Sequence, residues 1–115
     1  MKILQVIDTL KIGGAERISV MLSNLLFKNN IEVAILILVE DGDLVNELNP
    51  NIPIFRLNRK RRFNIQKMKE FVKIMKDFDI IHTHLKHNFR YTRIVSNRFG
   101  KNRAKIIFHD HSHTL

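Results

Sequence analysis

The sequence predicts an α/β fold, a doubly wound parallel sheet of about five strands with helices on both faces. Short runs of valine, isoleucine and leucine alternate along the 115 residues with segments whose apolar residues recur at helical spacing. One run, residues 32–39, is too apolar to be half exposed, so both of its faces must be covered, as in a parallel sheet. A glycine pair and several histidines follow predicted strands, which places them together at the carboxyl edge of the sheet.

The predicted elements follow the order β-α-β-β-α-β-α-β. Strands are expected at residues 2–8, 32–39, 52–57, 80–84 and 104–108. Helices are expected at residues 15–29, 65–78 and 90–99, with one helical turn at 44–48. The apolar face of the first helix is expected to be Ile18, Met21, Leu22, Leu25 and Leu26. Right-handed crossovers make the strand order reverse beside the first strand, where a ligand crevice is expected.

Composition indicates one globular domain. Apolar residues make up 44% of the chain and charged residues 27%, which excludes a disordered chain. The longest apolar run, residues 33–39, is far shorter than the ~20 residues that a membrane span needs, and no cleavage-site pattern follows Lys2. The chain has no cysteine, which excludes disulfides and thiolate metal sites. We therefore expect a cytoplasmic protein.

Gly13 and Gly14 form a glycine turn between the first strand and the first helix. Without Cβ atoms the backbone can turn sharply and approach a ligand, while the first amides and the dipole of the helix favour an anion such as phosphate. The pattern lacks the third glycine of a dinucleotide fingerprint and the Gly-Lys-Ser/Thr of a P-loop. A turn that merely connects strand to helix is the alternative.

The net charge of +9 is concentrated in residues 56–76, which hold nine basic side chains and one acidic one. The second helix would pack on the sheet through Ile65, Met68, Phe71, Val72, Met75 and Phe78. The segment that leads into it contains Arg59, Lys60, Arg61 and Arg62. These cations are either a solvated surface or a peripheral docking site for anionic lipid at the inner face of the membrane. Nucleic acid is not expected as a partner, because interleaved exposed aromatics and known binding motifs are missing.

Three segments carry a resemblance to a known family. Residues 1–26 contain a short strand, the turn Gly13-Gly14-Ala15-Glu16-Arg17 and an amphipathic helix. Residues 79–84 read Asp-Ile-Ile-His-Thr-His, and residues 105–112 form a strand followed by histidines. In this order they resemble the N-terminal domain of family 4 type glycosyltransferases of the GT-B superfamily. The resemblance implies that residues 1–115 form a Rossmann-like, acceptor-side domain, the N-terminal half of a GT-B fold.

The resemblance also implies a reaction. A hexose or related sugar would pass, with retention, from a nucleotide-diphosphate sugar to a glycan or lipid-linked acceptor, as in the synthesis of cell envelope polysaccharide. No permanently bound cofactor and no metal are implied. The catalytic residue would be His111, which would hold the transferred sugar. The residues implied to bind the donor phosphate or the acceptor are Gly13, Gly14, Glu16, Arg17 and His84.

The residues themselves leave other roles open. Glu16 can simply stabilise the positive end of the helix dipole, and Asp8 is expected to act as a turn or cap residue after the first strand. Arg17 is poorly placed for that dipole and could pair with phosphate or a carboxylated acceptor. The histidines could bind zinc or be solvated loop residues, and without cysteine zinc is not expected. They lie at positions 82, 84, 87, 109, 111 and 113.

By the same resemblance, a second Rossmann-like domain binds the donor nucleotide and carries two glutamates with seven residues between them. Glu40 and Glu47 have six residues between them and lie in the wrong half of such a fold. We therefore expect a fragment, a truncated product or one chain of a split enzyme, which is inactive alone, self-associates and needs a C-terminal domain or partner chain. The alternative is a non-catalytic, Rossmann-like binding or membrane-docking subunit of a split transferase.

Overall fold

A computed structural model describes residues 1–61, 63–99 and 104–109 of the chain. The strands are β1 (Lys2–Thr9), β2 (Glu32–Glu40), β3 (Ile54–Arg56), β4 (Ile80–Thr83) and β5 (Lys105–Phe108). The helices are α1 (Gly14–Lys28), α2 (Ile65–Met75) and α3 (Lys86–Phe99), with a 3₁₀ turn at Asp43–Glu47. Among the helices of these residues, none is long and apolar enough to cross a membrane.

All strand pairs are parallel, and the strand order is β3-β2-β1-β4-β5. β1 therefore lies at the centre, and the order reverses beside it, as predicted. On one face of the sheet Leu4, Val6 and Ile81 pack with the buried residues of α2 and α3. On the other face Ile7 and Ile35 pack with α1 and the 3₁₀ turn. The predicted fold class, a Rossmann-like doubly wound parallel sheet, is confirmed.

The face through which α1 packs differs from the prediction. Met21 and Leu25 are 65% and 55% exposed, which is opposite to their expected burial. The helix instead buries Ala15, Ser19, Val20 and Ser23. Small side chains let a helix lie close to its neighbour, and the Ser23 hydroxyl is satisfied because it donates to the Ser19 carbonyl (2.7 Å). Hydrophobic spacing missed this face because it gives no weight to serine.

Two helix boundaries also differ from the prediction. α3 begins at Lys86 rather than residue 90, and α2 ends at Met75 rather than residue 78. The first turn of α3 is polar, so apolar spacing could not find it. Its geometry is nevertheless helical, since the Phe89 amide donates to the Leu85 carbonyl (3.0 Å). This early start matters because it carries His87 on the first turn of a helix instead of on a loop.

The loop that joins β2 to the 3₁₀ turn supports the loop that joins β1 to α1. The Leu44 amide donates to the Leu10 carbonyl (2.9 Å). A Cβ atom on Gly42 would lie 2.1 to 2.3 Å from backbone atoms of Leu10 and Lys11. Gly42 has an extended backbone (φ −143°), so glycine is required here for space and not for an unusual dihedral angle. The position of the glycine turn thus depends on a residue outside it.

The core contains one buried phenol. Tyr91 is 1% exposed, stacks on Phe71 at a centroid distance of 5.6 Å, and lies under the Arg59 guanidinium, 4.4 Å from the ring centroid. Its hydroxyl has no hydrogen-bond partner among the described residues. Burial raises the pKa of the Tyr91 phenol, and its interaction with the Arg59 guanidinium offsets part of that rise.

We predict that Gly42→Ala lowers the free energy of unfolding by about 1–3 kcal/mol, because backbone atoms must move to admit the methyl group. Gly14→Ala is the matched control. A Cβ atom there meets no described atom within 4 Å, and alanine is favoured over glycine in a helix. Equilibrium urea unfolding measures both. Equal urea midpoints for the two variants would contradict the prediction.

We predict that Tyr91→Phe leaves stability at neutral pH unchanged or raises it by about 1 kcal/mol, because it removes a buried hydroxyl that has no partner. The two proteins should diverge in alkali. Because folding raises the pKa of the Tyr91 phenol, the folded protein keeps the phenol proton to higher pH than the unfolded chain. The free energy of unfolding therefore falls as pH rises above about 10, where the unfolded chain releases this proton first. The variant should therefore lose less unfolding free energy than the parent between about pH 9 and pH 11. Parallel losses in urea titrations would show that Tyr91 does not contribute.

Candidate active site

The candidate site lies at the carboxyl ends of β1 and β4. The chain leaves β1 toward β2 on one side of the sheet, while β4 flanks β1 on the other side. Such a reversal of strand order opens a crevice at the carboxyl edge. Asp8 near the end of β1, the glycine turn and the first turn of α3 all lie at this edge.

The glycine turn leads directly into α1. Gly13 is the N-cap residue of the helix, with extended dihedral angles (φ −174°, ψ 171°) and no capping side chain. Its carbonyl accepts a hydrogen bond from the Arg17 amide (3.0 Å). A Cβ atom at Gly13 would lie 2.5 Å from Oε1 of Glu16, so the carboxylate folds back against the turn. Because this contact is with the far end of a flexible side chain, a larger residue at position 13 would only require the Glu16 carboxylate to move.

Glu16 and Arg17 differ in how they face the crevice. The Glu16 carboxylate lies at the positive end of α1, where it stabilises the helix dipole, and an incoming anion must displace it or bind beside it. Arg17 is exposed. Gly14 is exposed as well, so the amino end of α1 is accessible from solvent.

Asp8 connects three parts of the fold. Its Oδ1 atom lies 3.4 Å from Nη2 of Arg59, and its Oδ2 atom is hydrogen-bonded to Nε2 of His87. The Asp8 side chain is 23% exposed and the Arg59 side chain only 10%, which makes this a partly buried ion pair. Asp8 was expected to be a turn or cap residue, and the structure shows an ion-pair centre instead. No sequence pattern predicts this role, because Asp8 and Arg59 are 51 residues apart.

Arg59 points into the protein, so the basic segment exposes fewer cations than the charge count predicted. Its guanidinium stacks on Tyr91 and pairs with Asp8, so it adds little to an exposed basic surface. Arg56 is also paired, since its Nε atom donates to both Asp41 oxygens (2.8 and 3.0 Å), and this hydrogen bonding raises the pKa of Arg56. The charge count could not predict either ion pair, because it treats paired and exposed cations alike.

The rest of the basic segment is accessible. Lys60 and Arg61 are exposed, and Arg62 lies outside the described residues. Phe63 and Ile65, which follow them, are each 59% exposed. Ile65 was expected to belong to the packed face of α2, but it opens the helix on the solvent side. Exposed cations and exposed apolar side chains therefore lie next to each other in sequence.

Three of the six histidines come together on one face of the sheet, and we call His82, His84 and His109 the histidine cluster. Their ring centroids are 4.3 Å (82 to 84), 5.5 Å (82 to 109) and 5.8 Å (84 to 109) apart. His84 is fully buried, and its Nε2 atom lies 2.5 Å from Oε1 of Gln5. A substrate cannot touch His84 in this arrangement.

Among the described residues, the remaining histidine, His87, does not join this cluster. His87 turns toward Asp8 because α3 begins early. The predicted catalytic residue, His111, and its neighbour His113 lie outside the described residues.

Comparison with known protein families identifies the family to which the chain belongs. The family described as Glycosyltransferase Family 4 matches residues 12–115, which include the glycine turn and the histidine-bearing strands. No curated protein matches the chain. Because the family match covers most of its length, the chain belongs to Glycosyltransferase Family 4, and its function is of the glycosyltransferase type.

Proposed function

We propose that the chain is the acceptor-side domain of a glycosyltransferase that moves a hexose or related sugar, with retention, from a nucleotide-diphosphate sugar to a glycan or lipid-linked acceptor. One observation carries the proposal. The amino end of α1 and the Asp8–His87 pair lie at the same edge of the sheet, where strand order reverses. Ligands of doubly wound α/β proteins bind at this position. Family membership supports the type of reaction.

Charge suggests which ligand group each part of the crevice takes. The amino end of α1, with Gly13, Gly14 and the exposed Arg17, attracts the donor diphosphate or an acidic acceptor. Asp8 and His87 offer a carboxylate and an imidazole, which hydrogen-bond sugar hydroxyls. His111 remains the residue proposed to hold the transferred sugar, as the resemblance implies.

The two other residues proposed for binding act indirectly. Glu16 occupies the helix end that an anion would use, so we propose that it gives way to the donor. His84 is buried against Gln5, and we propose that it orients the segment between β4 and α3 instead of touching the ligand.

The alternative is a non-catalytic subunit of a split transferase, which would bind a partner chain or a second copy and no sugar nucleotide. The exposed apolar side chains of Met21 and Leu25 on α1 would suit such a contact. Under this alternative the crevice would not respond to donor compounds, which gives a direct way to separate the two.

We predict that titration of the ¹⁵N-labelled chain with uridine- and guanosine-diphosphate sugars shifts the backbone amide signals of residues 12–17 and 86–88. The dissociation constant should be roughly millimolar, about −4 kcal/mol, because a second domain would hold the nucleotide. Arg17→Gln should weaken binding about fivefold, the effect of losing one exposed charge contact of about 1 kcal/mol. Arg98→Gln is the control, since it removes an exposed arginine near the far end of α3.

Each outcome of this titration separates the hypotheses. Shifts confined to the two named segments, with only Arg17→Gln weakened, support the proposal. No shift at any of these amides favours the non-catalytic alternative. Micromolar affinity would contradict the interpretation that this domain forms only part of the donor site, because one domain would then hold the whole donor.

We also propose that this domain docks on an anionic membrane surface. The supporting observation is that the exposed Lys60 and Arg61 stand directly before Phe63 and Ile65, which are both 59% exposed. Cations near a lipid surface contribute about 1 kcal/mol each, and exposed apolar side chains can enter the interface. Arg59 takes little part, because it is turned inward.

We predict that the double change Lys60→Ser and Arg61→Ser lowers partition onto phosphatidylglycerol vesicles by roughly 30-fold, the effect of about 2 kcal/mol. Binding of the parent should weaken as salt rises. The control, Lys28→Ser with Lys105→Ser, removes two exposed cations elsewhere and should bind like the parent. Vesicle sedimentation measures all three. Equal losses in both double variants would mean that only net charge matters, and tighter binding to duplex DNA than to lipid at equal salt would reopen the nucleic-acid alternative.

A further inference from the structure

The histidine cluster has the layout of a metal site. His82 and His84 alternate along β4 and the residue after it, so their side chains leave the sheet on the same face. His109 follows β5, the neighbouring strand, and its amide donates to the Thr83 carbonyl (2.8 Å), which extends the ladder between the two strands. Two adjacent strand ends thus bring three imidazoles together.

The distances fit coordination after small rotations. The nitrogen atoms that could act as ligands all lie within 4.8 Å of one another. Around a tetrahedral ion with metal–nitrogen bonds of about 2.0–2.1 Å, ligand nitrogens are roughly 3.4 Å apart. His82 and His109 are only partly buried, and coordination would require a small inward rotation of each ring. His84 is fully buried and provides the fixed ligand.

The hydrogen bond between His84 and Gln5 is the second observation that points to a metal. When the His84 Nε2 atom donates to the Gln5 oxygen, Nδ1 is the ring nitrogen that a metal ion would bind. A metal-binding histidine commonly donates its other N–H to an oxygen that fixes the tautomer and the orientation of the ring. Gln5 is itself fully buried in β1, which makes this support rigid.

We propose that His82, His84 and His109 bind one divalent transition-metal ion, such as Zn²⁺. Three neutral imidazoles suit Zn²⁺, Co²⁺ and Ni²⁺ better than Mg²⁺ or Ca²⁺, which prefer oxygen ligands. The remaining coordination position is left to water. The ion joins the carboxyl ends of β4 and β5 and holds the segment that leads into α3. It takes no part in the proposed sugar transfer, because none of its three ligands is proposed to touch the donor or the acceptor.

The test uses the full chain after removal of metal with a chelator. Calorimetry with Zn²⁺ should saturate at one ion per chain, and Co²⁺ should produce the visible absorption of a low-coordinate nitrogen site. His82→Asn and His109→Asn should each weaken Zn²⁺ binding at least about 100-fold, since removal of a ligand costs more than loss of its supporting hydrogen bond. His87→Asn, a histidine outside the cluster, should bind Zn²⁺ like the parent.

Zn²⁺ should also raise the melting temperature of the parent and of His87→Asn but not of the two cluster variants. The variants change partly exposed side chains, and circular dichroism without metal checks that they fold. Undiminished binding in either cluster variant, equal loss in His87→Asn, or absence of binding to the parent would each overturn the proposal. Nucleotide-sugar titration of the same variants is a separate readout, so failure of the metal site and failure of the proposed sugar site are distinguishable.

Discussion

Burial of β1 between β2 and β4 is the constraint on which the rest of the structure depends. Residues 4–7 of this strand are fully buried, so each of their side chains must be apolar or hydrogen-bonded inside the protein. Charged side chains can therefore appear only near the two ends of the strand, at Lys2 and at Asp8. β1 and β4 end at the same edge of the sheet, and the loop from β1 to α1 begins there. The polar groups of these three segments therefore meet at this edge. The candidate site thus follows from the topology of the sheet more than from the glycine turn.

Asp8 shows how this edge is held together. Its carboxylate is partly buried, and its two oxygens contact Arg59 and His87, which come from the segment after β3 and from α3. Removal of one member of a partly buried ion pair leaves the other uncompensated, which costs more than the pair contributes when intact. Arg59 depends on this pairing because only 10% of its side chain is exposed and its flat face rests on Tyr91. The arrangement fixes His87 before any ligand binds, and such preorganisation favours binding.

The sequence was sufficient for the fold because each strand is recognisable from its own residues. The apolar segment that became β2 needed no information from elsewhere in the chain. The sequence also predicted that the histidines gather at the carboxyl edge, but not that His82, His84 and His109 would meet while His87 turns to Asp8. The contacts of Asp8 were not predictable, since they join residues 51 and 79 positions apart in the sequence. They also required α3 to begin at Lys86, and its polar first turn has no hydrophobic signal.

Buried polar atoms without partners belong to the segments that surround the crevice. Among the described residues, side-chain atoms of this kind occur in Gln5, Ser19, Arg59, Asn88 and Tyr91. Each costs about 1–3 kcal/mol unless a water or ligand supplies a partner, so selection for stability alone would replace them with apolar groups. The Gln5 oxygen is hydrogen-bonded to His84, and one nitrogen of Arg59 is hydrogen-bonded to Asp8. Each of these two residues therefore holds a polar partner in place, while another of its own polar atoms has no partner among the described residues. Residues that position other polar side chains commonly leave some of their own polar atoms without a protein partner, and water or a ligand can supply one.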